Sequence, residues 1–358
     1  MTILSLIGKK KGNPTGSLDH MAWQRFRRNP LSVASLVVIG LFAVVALLGY
    51  LITPDPTPFC NQQYLELATL KPGSKATFLC VGGTVPLRRN MFKGTPLPYT
   101  AIPVATYRTE GDSIYAEPLA GAPLTVAAEG TTVRNRTFIL GTDTYGRDVL
   151  SMMMIGSRVS LSVGFIAILI ALLVGITLGA LAAYHGGWVD NVIMWLINVV
   201  WSIPTVLLVI AITFALGKGF WQIFVAVGLT MWVDIARVVR GEVLSIKEKE
   251  YVEATRALGY STFRTIFRHI LPNIVGAVVV VAASNFASAI LLEAGLSFLG
   301  IGVQPPMPSW GMMVKDYYGY ILLDSAYLAL LPGAAIMLIV LAFMLLANGL
   351  RDALDIRR

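Results

Sequence analysis

Charge is what this sequence has least of. Of its 358 residues, 13% are charged and 56% hydrophobic, where a soluble domain carries roughly a quarter charged residues. The length alone would allow about two soluble domains, but the apolar excess, with a mean hydropathy of +0.70, points to a bundle of membrane helices. Histidine is nearly as scarce: His20, His185 and His269 lie far apart. No H-E-x-x-H and no G-x-S-x-G occurs, so a metalloenzyme or an intramembrane protease has no constellation to stand on, and no metal site is expected. G-x-x-x-x-G-K-[ST] is missing too, so the chain is not expected to bind ATP through a P-loop of its own. The two cysteines, Cys60 and Cys80, decide little until the topology is known.

What is present is a series of long apolar runs. A spanning helix needs about 20 mostly apolar residues. Residues 31–52 qualify, since 22 residues at a rise of 1.5 Å give about 33 Å. Further runs occupy 159–184, 192–216, 220–233, 274–292 and 327–346. The fourth is short and must extend past Asp234. Pro204 is expected to kink the third, as membrane helices tolerate. The first run follows a basic region, as a signal peptide would. It exceeds a typical apolar signal core and no small-residue cleavage site follows, so it reads as an uncleaved span. The expected fold is an all-α protein of six transmembrane helices, with a small extracytoplasmic module between the first two.

Basic residues set the orientation. Six lie before the first run, seven at 237–268 and three in the tail, sixteen of the 28 in all. Six spans put all three segments on one side, so both termini are expected in the cytoplasm of a multi-pass protein in a bacterial inner membrane. The basic balance is then a topology signal; a nucleic-acid footprint would need a folded basic face, and no nucleic-acid partner is expected. The resulting organisation is a cytoplasmic segment 1–30, a span 31–52, an extracytoplasmic loop 53–156, a helical core 157–350 and a cytoplasmic tail 351–358. Within the core lie a cytoplasmic loop 237–272 and an external loop 303–326. The 53–156 loop is rich in Pro, Gly and Thr, has short β-like runs, and holds both cysteines. Outside the cytoplasm a disulfide persists, so Cys60–Cys80 is expected as a bridge, the other reading being two unpaired small core residues.

The stretch "EYVEATRALGYSTFRTIFRHILPN" (250–273) carries charge between two apolar runs. Its first part has helix-forming composition, and Gly259 stands where a C-cap glycine would. Ser261 can cap a second helix. Phe263, Ile266, Phe267 and Ile270 follow the i, i+3, i+4, i+7 spacing of one apolar stripe, and Pro272 leads into the next span. Such an element either lies on the membrane face or offers its first helix to a partner.

The same stretch resembles the Glu-Ala-Ala…Gly…Leu-Pro loop of ABC-importer permeases. Glu253, Ala254, Gly259, Leu271 and Pro272 match it, while Thr255 replaces the second Ala and His269 the usual Ile. "LGTDTYGRDVLS" (140–151), "RVSLSVG" (158–164), "ARVVRGEVLSIKEKEYVEA" (236–254), "LSFLGIGVQPPMPSWG" (296–311) and "GLRDALD" (349–355) extend the likeness to the C-type permeases of dipeptide and oligopeptide importers. The 53–139 module departs from it, being longer than usual in that family. The resemblance implies a non-enzymatic transport subunit in the bilayer, working by alternating access. Its partners would be a second homologous permease, two ATPase subunits that bind ATP and Mg, and an extracytoplasmic binding protein. It implies that 250–272 docks on an ATPase, and that Gln304, Pro305, Pro306 and Trp310 approach the binding protein, although the latter segment also reads as a rigid turn. Thr142 and Asp143 read as a helix cap, with Arg147 and Asp148 as solvated charges. Polar residues in the spans include Asn198, Ser284, Asn285 and Ser288. Asn285 and Ser288, three apart on one face, either line the path or bond between helices. Peptides are the expected substrate; nickel chelates or other small solutes are the alternative, and an enzyme with its site in the module a more distant one.

Overall fold

A computed structural model describes residues 18–82, 88–217 and 219–354. Lys9, Lys10, Lys11, Arg357 and Arg358, which contribute to the orientation signal, lie outside them. Helix α1 (Leu18–Arg28) turns at Asn29 into α2 (Pro30–Leu48). Asn29 Oδ1 accepts from the amides of Leu31 at 3.0 Å and Ser32 at 3.3 Å, and Pro30 sits at the first position, where its missing N–H costs nothing.

The core helices are α3 (Val149–His185), α6 (Phe220–Lys247), α9 (Leu271–Phe298) and α11 (Tyr327–Leu354). Helix α6 runs well past Asp234, as a span starting at Phe220 must. Helix α3 begins ten residues before 159, so 149–156 is helix rather than loop. Its 37 residues reach about 55 Å, longer than a bilayer core. Asp148 caps it, accepting from the Ser151 amide at 2.9 Å and from the Ser151 hydroxyl.

Small residues let α3 and α6 touch backbone to backbone. A Cβ on Gly175 would sit 2.7 Å from the Trp232 carbonyl oxygen, and one on Gly228 2.9 Å from that of Ala167. This is the packing that works where lipid removes the hydrophobic drive between helices.

The 192–216 run is not merely kinked. Helices α4 (Gly187–Ser202) and α5 (Thr205–Leu216) meet at 97°. Ile203 is extended (φ −93°, ψ 129°), as a residue before proline is driven to be, and Pro204 has no N–H to rejoin the two. Among the described residues, five helices are long and apolar enough to cross a membrane, or up to six if the bent pair is one span.

The chain is not all-α. Its module carries an antiparallel sheet in the order β4-β3-β2-β1-β5: β1 (Ser74–Val81), β2 (Thr100–Glu110), β3 (Ser113–Pro118), β4 (Leu124–Ala127) and β5 (Thr131–Phe138). Alternation along β1 sends Phe78 and Cys80 to one face, against Tyr64 and Phe138, and Leu79 to the other, against Val104 and Ile114.

The expected Cys60–Cys80 bridge is absent: both cysteines are free and buried. They belong to different cores. Cys60 lies under the helices with Tyr50, Val149 and Met152, its thiol donating to the Asp55 carbonyl at 3.2 Å. Burial, reinforced by the Asp55 charge, pushes that thiol's pKa up; burial also raises that of Cys80.

The "LGTDTYGRD" turn ties module to helices, so its charges are not solvated. Asp143 is fully buried, accepting from the amides of Tyr145 (2.9 Å) and Arg147 (2.8 Å). Arg147 Nε lies 2.7 Å from its carboxylate, and Arg147 also reaches Asn61 Oδ1 and Tyr317 OH, each at 3.1 Å. Thr142 Oγ1 accepts from the Leu70 amide at 2.8 Å and donates to the Leu67 carbonyl. Gly146 has φ 71° and presses on the Tyr64 carbonyl, so the turn needs a residue without Cβ there.

Candidate functional site

At the end of the bundle away from the module, α7 (Glu250–Ala257) and α8 (Thr262–Thr265) form a helix–bend–helix that a π-helical turn, Ile266–Ile270, joins to α9. Gly259 takes φ 73°, and nothing lies within 4 Å of where a Cβ would stand. The bend therefore requires glycine for its backbone and not for space. Ser261 Oγ accepts from the Arg264 amide at 3.4 Å. Glu253 and Ala254 are exposed on α7 and Leu258 at its C-cap, while Val252 is fully buried beneath the helix.

The element is braced from below. Lys247 Nζ donates to the last carbonyls of α3, Ala183 at 3.1 Å and Tyr184 at 2.7 Å, neutralising the negative end of that helix. Arg240 makes a two-pronged contact with Asp190, both distances 2.6 Å. The expected apolar stripe divides in two. Ile266 and Ile270 are buried, but Phe263 and Phe267 are 69% and 54% exposed, their rings meeting at 4.2 Å with a 30° tilt. The π-turn supplies the reason, since its wider winding breaks the 3.6-residue register.

Along the helices, the four polar residues expected along the path do not share one environment. Asn285 is buried and donates to the Met231 carbonyl at 3.3 Å, an α9–α6 bond. Ser284 is exposed. Ser288 lines a cavity of about 440 Å³ at the α4–α5 break, with Thr205, Thr230 and Asp234. Asn198 accepts from Arg237 Nη2 at 3.1 Å.

At the module end, Gln304, Pro305 and Pro306 are exposed. Trp310, expected beside them as a partner contact, is fully buried and opens α10 (Trp310–Tyr317). Its Nε1 donates to the Met153 carbonyl at 3.0 Å and its ring meets Phe42 edge-on at 5.3 Å. A partner therefore cannot touch it. Beneath it, the fully buried Glu293 accepts from Ser160 Oγ at 3.0 Å and Ser297 Oγ at 2.8 Å, and Ser160 Oγ in turn lies 3.4 Å from the Trp310 amide. The sequence marks Glu293 as a polar residue beside a span but not its partners; a serine that meets an acid 133 positions away is visible only in the folded chain.

Residues 175–358 match the family model described as "Binding-protein-dependent transport system inner membrane component". The chain belongs to this family of ABC-importer permeases. Residues 17–72 match a second model, "N-terminal TM domain of oligopeptide transport permease C". Over 216 residues the chain is 42% identical to the glutathione transport system permease protein GsiD of Pectobacterium atrosepticum, covering 60% of this chain and 71% of that one. It is 43% identical over 215 residues to the dipeptide transport system permease protein DppC of Bacillus subtilis, covering 60% and 67%. DppC of Lactococcus lactis subsp. cremoris is 30% identical over 354 residues, covering 98% of this chain and 93% of its own length. That alignment runs through 53–139, so the module is not peculiar to this permease.

The two departures of this permease from the family loop have visible structural roles. Thr255 is buried, its hydroxyl donating to the Val252 carbonyl at 2.7 Å and meeting Thr265 Oγ1 at 3.3 Å, which staples α7 to α8. His269 stacks on Tyr260 at 5.7 Å, and Arg264 covers the same ring at 4.2 Å.

Proposed function

We propose that this permease forms, with a second permease subunit, the pathway of an ATP-driven importer that carries small peptides into the cytoplasm. The reading rests on its membership of the permease family together with the substrates for which its relatives are named, which are dipeptides, oligopeptides and glutathione. A binding protein delivers the peptide at the module end. Two ATPase subunits bind ATP and Mg at the other end and drive alternating access. Glu253, Ala254, Gly259, Leu271 and Pro272 belong to the loop that transmits their movement. The exposed outer face of α7, set on a base held by Lys247 and Val252, supports that role: a lever must be accessible above and fixed below. Gln304, Pro305 and Pro306 remain the exposed candidates for binding-protein contact.

The positive-inside pattern puts both termini and 250–273 in the cytoplasm. Cysteine labelling near Lys249 in intact cells tests this, and labelling from outside would sink the orientation. Purification of the intact complex, with identification of its subunits and bound ligand, tests the function. A sister permease, ATPases and a bound peptide are expected. A complex that carries a metal chelate, and imports no peptide, would overturn the substrate class.

A further inference from the structure

The cavity at the α4–α5 break contains a charge with no part in the coupling loop or the module contacts. Asp234 lies near the midpoint of α6, in the wall of the 440 Å³ space, and among the described residues is the one charged group lining it. An intramembrane carboxylate is costly and is kept where it faces a bundle interior or a pathway. Among the described residues no cation stands within ion-pair distance of it. The natural candidate, Arg237, is one turn further along the same helix face. Its guanidinium stacks on Trp201 at 3.5 Å and donates to Asn198, so both contacts hold it to α4.

The rest of the wall favours positive charge as well. Helix α4 ends at Ser202, and Val200, Trp201 and Ile203 line the cavity. Its last carbonyls are the negative end of a helix dipole; those of Val199 and Val200 accept from Ser202 Oγ at 2.8 Å and the Ile203 amide at 3.3 Å, so the dipole end at Trp201 and Ser202 is what faces the cavity. Ser288 donates its own hydroxyl hydrogen to the Ser284 carbonyl at 3.4 Å, which leaves the oxygen's lone pairs as acceptors. Carboxylate, carbonyl and hydroxyl oxygens together make an acceptor set. An alkylammonium, with three donors and no acceptor, is its complement. Broken helices that present their ends near the middle of a span recur at transport sites, and the volume is within the range of small-ligand sites.

We propose that Asp234, with Ser288 and the carbonyl end of α4, forms a transit site for the protonated amino terminus of a peptide. The site rests on the peptide reading of the function and adds the chemical group that is recognised. Apolar walls from Val206, Leu291 and Leu292 leave the side chains of the cargo undiscriminated, as suits a carrier of varied peptides.

The test is uptake by the complete transporter in proteoliposomes with its binding protein, comparing Asp234, Asp234→Asn and Asp234→Glu. The probes are a dipeptide and its N-acetyl derivative. The preference for the free amine should fall about tenfold in Asp234→Asn, as expected when a hydrogen bond to a charged group is lost. Asp234→Glu should restore most of it. If the wild-type complex does not take up the blocked peptide measurably, a tenfold loss of dipeptide uptake in Asp234→Asn with recovery in Asp234→Glu supports the site equally. An equal loss for both probes, or an unchanged preference, would overturn the site. So would dissociation of the second permease subunit from Asp234→Asn, because Asp234 would then be paired with a cation of that partner. Failure of the wild-type complex to import any peptide would instead defeat the functional reading on which the site rests.

Discussion

Helix α9 has a loop at each end, and the two are built in opposite ways. Before it, α7 and α8 stand outward, with Glu253, Ala254, Leu258, Phe263 and Phe267 exposed and a few buried anchors beneath. After it, the chain turns at Gly300 (φ 78°) and plunges inward: Ser309 and Trp310 are fully buried, packed over Glu293. Both segments are rich in family motif, yet the first presents most of it, while the second exposes Gln304, Pro305 and Pro306 and hides Ser309 and Trp310. A recurring motif in a membrane protein thus marks a constraint, and only burial says whether the constraint is a partner or the protein itself.

The sharpest way to break this contrast is Trp310→Ala. Truncating a fully buried aromatic costs about 3–5 kcal/mol, so the amount of folded protein in the membrane should fall steeply. Normal abundance with weakened binding-protein association would mean that Trp310 is a surface residue after all. Ile270→Asp comes next, because it buries an unpaired charge; quantitative blotting of membranes should show marked loss. Gly259→Val should cost about 1–3 kcal/mol through backbone strain alone, since its Cβ meets nothing. Protein should persist in the membrane while ATP hydrolysis separates from uptake, and Glu253→Lys should do the same by reversing a charge on the exposed face. Normal uptake with the two combined would reduce α7 to a surface helix.

Thr255→Val should cost about 1 kcal/mol by removing the α7–α8 hydroxyl contact, lowering the melting temperature by a few degrees at most. Phe263→Asp lies at the bottom of the scale, within about 0.5 kcal/mol for an exposed position. A large drop in abundance there would restore the single stripe. The free thiols add a chemical check without any substitution. With its thiol buried and its pKa raised, Cys60 should resist alkylation until the protein unfolds, and a non-reduced digest should contain no Cys60–Cys80 peptide.

The bundle was legible where physics is local. A run of apolar residues must bury its own backbone bonds in lipid and so becomes a helix, which is why α2, α3, α6, α9 and α11 lie where hydropathy puts them. The bend at Gly259, the cap at Ser261 and the failure of the helix at Pro204 are likewise set by residues within a turn of each other. What local rules cannot decide is which neighbour covers a given face. Cys60 and Cys80 share a loop and a compartment, yet different cores bury them. Asn285 and Ser288 lie three apart on one helix, yet the first is bonded to α6 and the second opens on the cavity. Trp310 was legible as part of a motif, but its burial depends on Met153 and Phe42, which lie far away in the chain. Asp234 stood out as an acid in an apolar run from the start. That the Arg237 guanidinium stacks on Trp201 and bonds Asn198, both on α4, rather than closing an ion pair with Asp234 follows only from the folded chain.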